Sequence, residues 1–491
     1  MNLRKAYDAL LYYIILPFTA ISFVLTPLTN DTRIFLSSEA IADTFYKLPY
    51  GWDAAYEVKP IGNRILNWVL YKVANAFVPL TSNDYAHFGY VVKLTALIIL
   101  VACCWYISRR IKFPYAFPFL FMAFACEANF CLLMSEWFAV LFSLVAVALC
   151  FEENRNWQYI AGAVFLSVGL LKSITVLMVI PAACAVYLLG GTVDWKKAIA
   201  GYLATGVAFL AACLTIWPYS ISDMLMSRLV AHVGMYDYST LLQWFWLTQD
   251  RSSLPLTLWI FAPAIDVGIA ACVFMILYYQ KKHDTANTVL MGAMWTVPVA
   301  MVFIQSEFIV YHYIVILLAA IVSVALISVK SRRGTVFIIV AVLMIFPSYT
   351  VINSMSGSYT TFEYSFWQQK EQNADAINVK YDLINQSTIL YLDPGDANYY
   401  FHANSSCHYI TPMPVERSTD EWNLTSLWQY QDTYTCIMSY QGKYIVADIN
   451  GGMVTGYYGK GILMRKEITD MIKANYTLKD SKSWDVYERI D

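Results

Sequence analysis

An acid and several cations are gathered in one polar stretch of an otherwise apolar chain. The stretch opens with Asn30-Asp31-Thr32-Arg33 and closes with Glu57-Val58-Lys59-Pro60-Ile61-Gly62-Asn63-Arg64. A carboxylate such as Asp31, just past an apolar span, can take a proton from an acceptor hydroxyl. Lys59 offers a phosphate a point charge, and Arg64 a planar fork. Each type also has a structural use. Asp31 fits a solvated helix end, slightly better than a base on residue type alone. Lys59 fits phosphate binding and snorkelling to lipid headgroups equally, and Arg64 fits snorkelling better. Arg33 and Glu57 are further candidates for the acceptor or cavity side.

Five more ionisable groups stand in or at the ends of apolar spans, where charge is expensive and often functional. Glu136 opens an apolar span, and Glu127 falls inside the preceding one. An exposed turn residue is the structural alternative for Glu136. Lys172 occupies a very short turn on the side that should be poor in positive charge, which raises the weight of a site role above the usual. Lys93, in the outer part of a span, raises the same question with less support. His312, in Tyr311-His312-Tyr313, could donate to phosphate or sugar, although an interfacial aromatic cluster explains it better.

The elements that must hold these groups are membrane helices. The chain is 58% hydrophobic and 14% charged, with mean hydropathy +0.49. A soluble domain is nearer half apolar and about a quarter charged. Hydropathy predicts about eleven spans of roughly 20 residues. They fall at 10–28, 88–107, 114–133, 136–151, 158–171, 174–189, 198–217, 255–279, 288–305, 308–328 and 335–353. The first span lacks a small-residue cleavage site and reads as retained. Lys and Arg concentrate in alternate loops, which places the N-terminus in the cytoplasm and, for an odd span count, the C-terminal region outside. The fold class is therefore an α-helical polytopic membrane protein with a small C-terminal extracytoplasmic α/β domain. Residues 1–353 form the transmembrane domain, including an external loop at 29–87, and residues 354–491 form the second domain.

In the loop, Ser37-Ser38-Glu39 resembles a helix start, and a second helix is predicted over 61–77. Ile61, Ile65, Val69, Val73 and Phe77 form its apolar stripe; Arg64, Asn67, Tyr71, Lys72 and Asn75 lie off it. Both helices read as lying in the membrane plane. The C-terminal region predicts helices at 362–385, 426–440 and 466–475, and strands at 388–392, 408–411, 444–448 and 484–490. Glycosylation sequons at Asn30, Asn385, Asn404, Asn423 and Asn475 all fall in segments expected outside. Eight of the ten cysteines lie in spans, where they act as small apolar residues. The other two, Cys407 and Cys436, are expected to pair in an oxidising compartment.

No HExxH, Walker A, GxSxG, paired CxxC or D-x-D motif occurs. The composition gives no reason to expect nucleic-acid binding, a cofactor or a metal. An outward-facing site would need its activated sugar delivered on a lipid.

In this pattern the chain resembles the GT-C superfamily of membrane glycosyltransferases, most closely the protein O-mannosyltransferase and aminoarabinose-transferase branch. Asp31 matches the acid after the first span, and Glu39-Ala40-Ile41-Ala42 an alanine-containing loop helix. Glu57-Val58-Lys59-Pro60-Ile61 matches a Lys-Pro-Pro signature without its second proline. Glu136-Trp137-Phe138-Ala139 matches an acid opening the fourth span. Gly169-Leu170-Leu171-Lys172-Ser173 with Pro181 matches a Gly-Leu-x-x-Lys-Gly turn, and His312-Tyr313 stands where the branch has Arg-Tyr. The oligosaccharyltransferases fit less well, because Tyr50-Gly51-Trp52-Asp53 lies in the wrong segment for their WWDYG signature.

The resemblance implies an inverting transfer of a sugar from a polyprenyl (dolichyl or undecaprenyl) phosphate to an acceptor hydroxyl on a glycan, lipid or protein. Asp31 would be the base. Lys59, with Arg64, Lys172 and His312, would meet the donor phosphate, and Glu136, Glu57 and Arg33 would line the cavity or acceptor side. A prokaryotic plasma membrane fits so compact a chain better than the endoplasmic reticulum. Two other classes compete: a transporter or lipid flippase, and a non-enzymatic scaffold with an external binding domain. A transporter should show paired, interrupted helices in two related halves, and none are found.

Overall fold

The computed structural model describes residues 3–25, 28, 32, 36, 61–79, 85–126, 134–215, 263–304, 310–331, 334–386, 388–392, 400–401, 406–407, 415, 425–426, 428–447, 466–482 and 484–490. Among them are fifteen α-helices and one four-stranded sheet. The first helices, α1 (Leu3–Leu10) and α2 (Leu16–Leu25), are joined by a π-helical segment, Leu11–Ile15. Next come α3 (Ile61–Phe77), α4 (Tyr85–Arg110), α5 (Ala116–Cys126), α6 (Ser135–Leu149) and α7 (Trp157–Leu171). A 3-10 segment, Ser173–Met178, leads into α8 (Val179–Leu188). Then follow α9 (Trp195–Thr215), α10 (Pro263–Lys281) and α11 (Thr285–Ile304). A second 3-10 segment, Val310–Ile316, precedes α12 (Leu317–Lys330), and α13 runs from Gly334 to Tyr381. The chain divides into two compact units: residues 1–27, 92–210 and 247–361, and residues 28–91, 211–246 and 362–491.

The first unit is built for an apolar solvent. Five described helices are long and apolar enough to cross a membrane: Arg4–Leu25, His87–Arg110, Ala264–Lys281, Thr285–Val302 and Tyr313–Lys330. Five shorter apolar helices accompany them. Large apolar side chains on the rim helices are exposed, among them Ile98 on α4, Leu203 and Val207 on α9, and Val273 on α10. In water such surface would be costly; against acyl chains it is not. The chain is thus a helical membrane protein. Two helices are central: nearly every residue of α6, and every residue from Leu317 to Ser328 of α12, is buried.

Small residues set how closely the helices approach. A Cβ added at Gly162 on α7 would lie 1.9 Å from the Ala198 carbonyl oxygen, and one at Gly201 on α9 would lie 1.9 Å from that of Tyr159. Each glycine therefore admits the backbone of the other helix, the usual device where no water drives helices together. Gly268 on α10 does the same against Ala320 on α12.

Three details of the helices depart from the sequence expectations. The predicted helix at 174–189 starts as 3-10 helix, because Lys172 is extended (φ −152°, ψ 126°) and β-branched Ile174, Thr175 and Val176 follow. The tenth predicted span likewise opens in 3-10 form, at Val310–Ile316. No break separates the last span from the helix expected at 362; α13 is continuous over 48 residues. Its polar middle resembles a loop by composition, but the helix carries through, since propensity is a weak constraint.

In the second unit, β1 (Leu390–Leu392), β2 (Tyr444–Ala447), β3 (Tyr476–Ser481) and β4 (Asp485–Arg489) form a sheet in the order β1-β2-β4-β3. β1 and β2 are parallel; β4 is antiparallel to both β2 and β3. Strands β1 and β2 are wholly buried and carry Leu390, Leu392, Ile445 and Ala447. Helices α14 (Trp428–Ser439) and α15 (Lys466–Asn475) supply Tyr430, Ile437, Ile468 and Ile472 to the same core. β3 was not foreseen in the sequence. It is an edge strand, largely exposed: the apolar alternation stops after Tyr476 and Leu478, and Leu478 itself is exposed. Cys407 and Cys436 are joined by a disulfide, with Cα atoms 5.7 Å apart. The strand expected at 408–411 lies outside the described residues.

Candidate functional site

A buried ion pair stands where a helix breaks. Glu136 is in the first turn of α6, and Lys172 is the residue at which α7 stops. The Lys172 Nζ donates to Glu136 Oε1, and Ser135 Oγ donates to Oε2 at 2.9 Å. The side chain of Glu136 is 1% exposed and that of Lys172 is 24% exposed. The carboxylate thus has three supports: an ammonium, a hydroxyl and the positive end of the α6 dipole.

The local fold follows from the neighbours. Thr175 clamps the helix break: its backbone N donates to the Lys172 carbonyl at 2.9 Å, and its hydroxyl donates to the carbonyls of Lys172 and Val168. Trp137 anchors the start of α6, its indole donating to the Phe124 carbonyl at 3.2 Å and its ring edge-on to Phe124 at 5.7 Å. Lys172 is paired with Glu136, so the helix break carries no net charge.

In the other unit, α3 spans the residues predicted for it; its predicted apolar stripe is largely exposed, and its buried face mixes polar residues with Leu70 and Ala74. Ile65, Val69 and Phe77 of the apolar stripe are exposed, whereas Asn63, Asn67 and Tyr71 are buried and Arg64 is only 4% exposed. Snorkelling of Arg64 is therefore corrected: its side chain turns into the protein, because the apolar face of the helix takes the outward side. Asn67 Nδ2 donates to the Asn63 carbonyl at 2.8 Å on this inner face.

Among the other expected site residues, Asp31, Arg33, Glu57 and Lys59 lie outside the described residues, as does Glu127. The backbone of His312 belongs to the 3-10 segment before α12. Lys93 is buried on α4. Among the described candidates, the structure brings Glu136 and Lys172 together. It also shows residues the sequence reading did not single out: Ser135 and Thr175 around the pair, and Asp266 in the first turn of α10. The Asp266 Oδ2 is buried with no partner among the described residues. The signal for Asp266 was there, an acid inside the apolar run at 255–279. Ser135 and Thr175 had none, since hydroxyls are common in membrane helices. No group of three or more His, Cys, Asp or Glu placed to hold a metal occurs among the described residues.

Compared with protein-family models, curated proteins and solved structures, the chain has no match.

Proposed function

We propose that this chain is a membrane glycosyltransferase that moves a sugar from a polyprenyl-phosphate carrier to an acceptor hydroxyl. The observation that carries the proposal is the Glu136–Lys172 pair, a charge held inside an apolar bundle at a helix break, with the ammonium as its more open end. Retaining charge at such a position is costly and marks function. Lys172 suits a leaving phosphate. Glu136 keeps the ammonium charged and positioned while no donor is bound.

The reaction is an inverting displacement. The Asp31 carboxylate takes the acceptor hydroxyl proton, and that oxygen attacks the anomeric carbon from the face opposite the phosphate. The anomeric C–O bond breaks, and its electron pair leaves on the polyprenyl phosphate. Lys172, with Lys59, Arg64 and His312, counters the charge of that phosphate. Glu57 and Arg33 serve the acceptor side. The loop charges support an orientation with the N-terminus in the cytoplasm and residues 354–491 outside, in a prokaryotic plasma membrane.

The test is sugar transfer by purified protein in lipid, across a panel of radiolabelled polyprenyl-phosphate sugars, with and without chelator. Wild type is expected to turn over at least one donor regardless of chelator, and Asp31→Asn to lose that turnover while keeping the wild-type unfolding midpoint. Turnover that survives in Asp31→Asn moves the base to Glu57 or Glu136. Absence of turnover with every donor, in folded protein given acceptor extracts, replaces the proposal with a transporter, flippase or scaffold.

A further inference from the structure

The charges at one end of the helical unit are sorted in an unusual way. Four segments there are tied by hydrogen bonds. Tyr115 OH donates to Asp8 Oδ1 at 2.6 Å, joining α1 to the turn after α4. Tyr106 OH and Arg110 Nε meet Glu152 Oε1 at 2.7 and 2.8 Å, joining α4 to the turn after α6. Lys197 Nζ donates to Asn156 Oδ1 at 3.0 Å, and Gln158 Nε2 to the Thr192 carbonyl at 3.0 Å, joining the starts of α7 and α9. These contacts make residues 3–8, 105–115, 150–159 and 191–201 one continuous surface.

That surface carries eight Lys and Arg against four Asp and Glu. Three of the four acids are used internally: Asp8 by a tyrosine, Glu152 by Tyr106 and Arg110, and Asp194 by the Lys197 backbone N at 3.4 Å. The cations are disposed differently. Arg109, Lys112, Arg155 and Lys196 are exposed and have no carboxylate partner among the described residues. Arg109 lies over the Trp105 ring at 5.3 Å, and Lys197 over Tyr159 at 5.9 Å. Trp105, Trp157, Tyr159 and Trp195 are themselves exposed. A ring beneath a cation leaves its charge in place, whereas a carboxylate would cancel it. Exposed Trp and Tyr at span ends, each with an apolar body and a polar edge, suit the headgroup layer.

From this arrangement we infer that the surface is a docking face for anionic phospholipid, with the rings seated at headgroup depth and the Arg and Lys groups meeting lipid phosphate. It rests on the chain being a membrane protein and not on the transferase proposal. Basic groups beside a membrane span attract anionic lipid by electrostatics that salt screens.

The experiment is reconstitution of the full chain in phosphatidylcholine bilayers, with spin-labelled phosphatidylglycerol or phosphatidylcholine as probe. The motionally restricted fraction of each probe gives their relative affinity for the protein surface. Wild type is expected to prefer phosphatidylglycerol by about threefold or more at low salt and to lose most of that preference at high salt. The combined Arg109→Gln, Lys112→Gln, Arg155→Gln and Lys196→Gln variant should bring the ratio toward one. Swapping Arg and Lys at the same four positions should keep it. No preference in wild type, or a preference unchanged in the glutamine variant, overturns the inference. So does displacement of the lipid by free glycerol phosphate, which would mark a site for a soluble anion. Should the glutamine variant not fold, the salt series on wild type decides, since a preference insensitive to salt is not electrostatic.

Discussion

The helical unit and the C-terminal sheet domain both bury apolar side chains but differ in what else they bury and in what they leave outside. Around the sheet, Leu390, Leu392, Ile445, Ile437 and Ile468 are inside, while Lys443, Lys479 and Glu488 lie toward solvent. In the helical unit, Ile98, Leu203 and Val273 are outside, and the inside holds a carboxylate paired with an ammonium. The difference is one of solvent. Water makes apolar burial the driving force of the sheet domain. Acyl chains supply no such force, so the helices associate through glycine contacts and polar pairs. In the sheet domain the driving energy resides in buried area, and between the membrane helices in close contacts and polar pairs.

That contrast predicts where each region breaks. The largest effect should come from splitting the buried pair. Lys172→Met leaves Glu136 without its cation and should cost about 3–5 kcal/mol, with Lys172→Met/Glu136→Gln recovering much of it. Thermal unfolding in nanodiscs reads both; a silent single variant would mean that solvent reaches the pair. In the sheet region the comparable constraint is covalent. The Cys407–Cys436 bridge closes a separation of 29 residues, and Cys407→Ser/Cys436→Ser should destabilise by about 3–4 kcal/mol. Denaturation monitored by near-ultraviolet circular dichroism checks this, and reductant should reproduce the loss in wild type only.

A smaller effect is expected at the helix contacts. Gly201→Val forces a side chain against the Tyr159 backbone and should cost about 1–3 kcal/mol. Gly292 on α11, where a Cβ would meet nothing and the backbone is ordinary helix, serves as the control for packing alone. If Gly201→Val is as stable as wild type, α7 and α9 do not rely on close approach.

The smallest effect concerns pH and belongs to the sheet. Burial, then the charge of Asp485 and the hydrogen bond to it, pushes the Tyr487 hydroxyl from 10.0 up to about 12. A group whose folded pKa is raised contributes stability in full below its unfolded value and loses it as pH climbs through the folded value. Alkaline destabilisation should therefore develop between about pH 10 and pH 12. Tyr487→Phe should flatten that part of the curve without changing stability near neutrality by more than the lost hydrogen bond. An unchanged alkaline limb would assign it to Tyr440 or Tyr476, whose hydroxyls are also held up by burial.

Much of the element pattern was legible in the sequence. Helix α7 and helices α3, α14 and α15 fall within a residue or two of their expected bounds, because apolar spacing and clear end signals fixed them. Edge strand β3 and the unbroken course of α13 were not legible: β3 is set by backbone pairing with β4 and not by buried side chains of its own, and the polar middle of α13 carries no helix signal in its composition.

The membrane class was determined by the sequence alone, through 58% hydrophobic residues and long apolar runs. So was the suspicion attached to Glu136 and Lys172, as charges where charge is expensive. The tertiary structure decided that the two are partners: they are 36 residues apart, and an ion pair depends on a through-space distance that no sequence spacing encodes. It also decided which way α3 faces. Periodicity locates the apolar stripe of a helix, but only packing tells whether that stripe meets the protein or its surroundings, and here Arg64 is on the inner side.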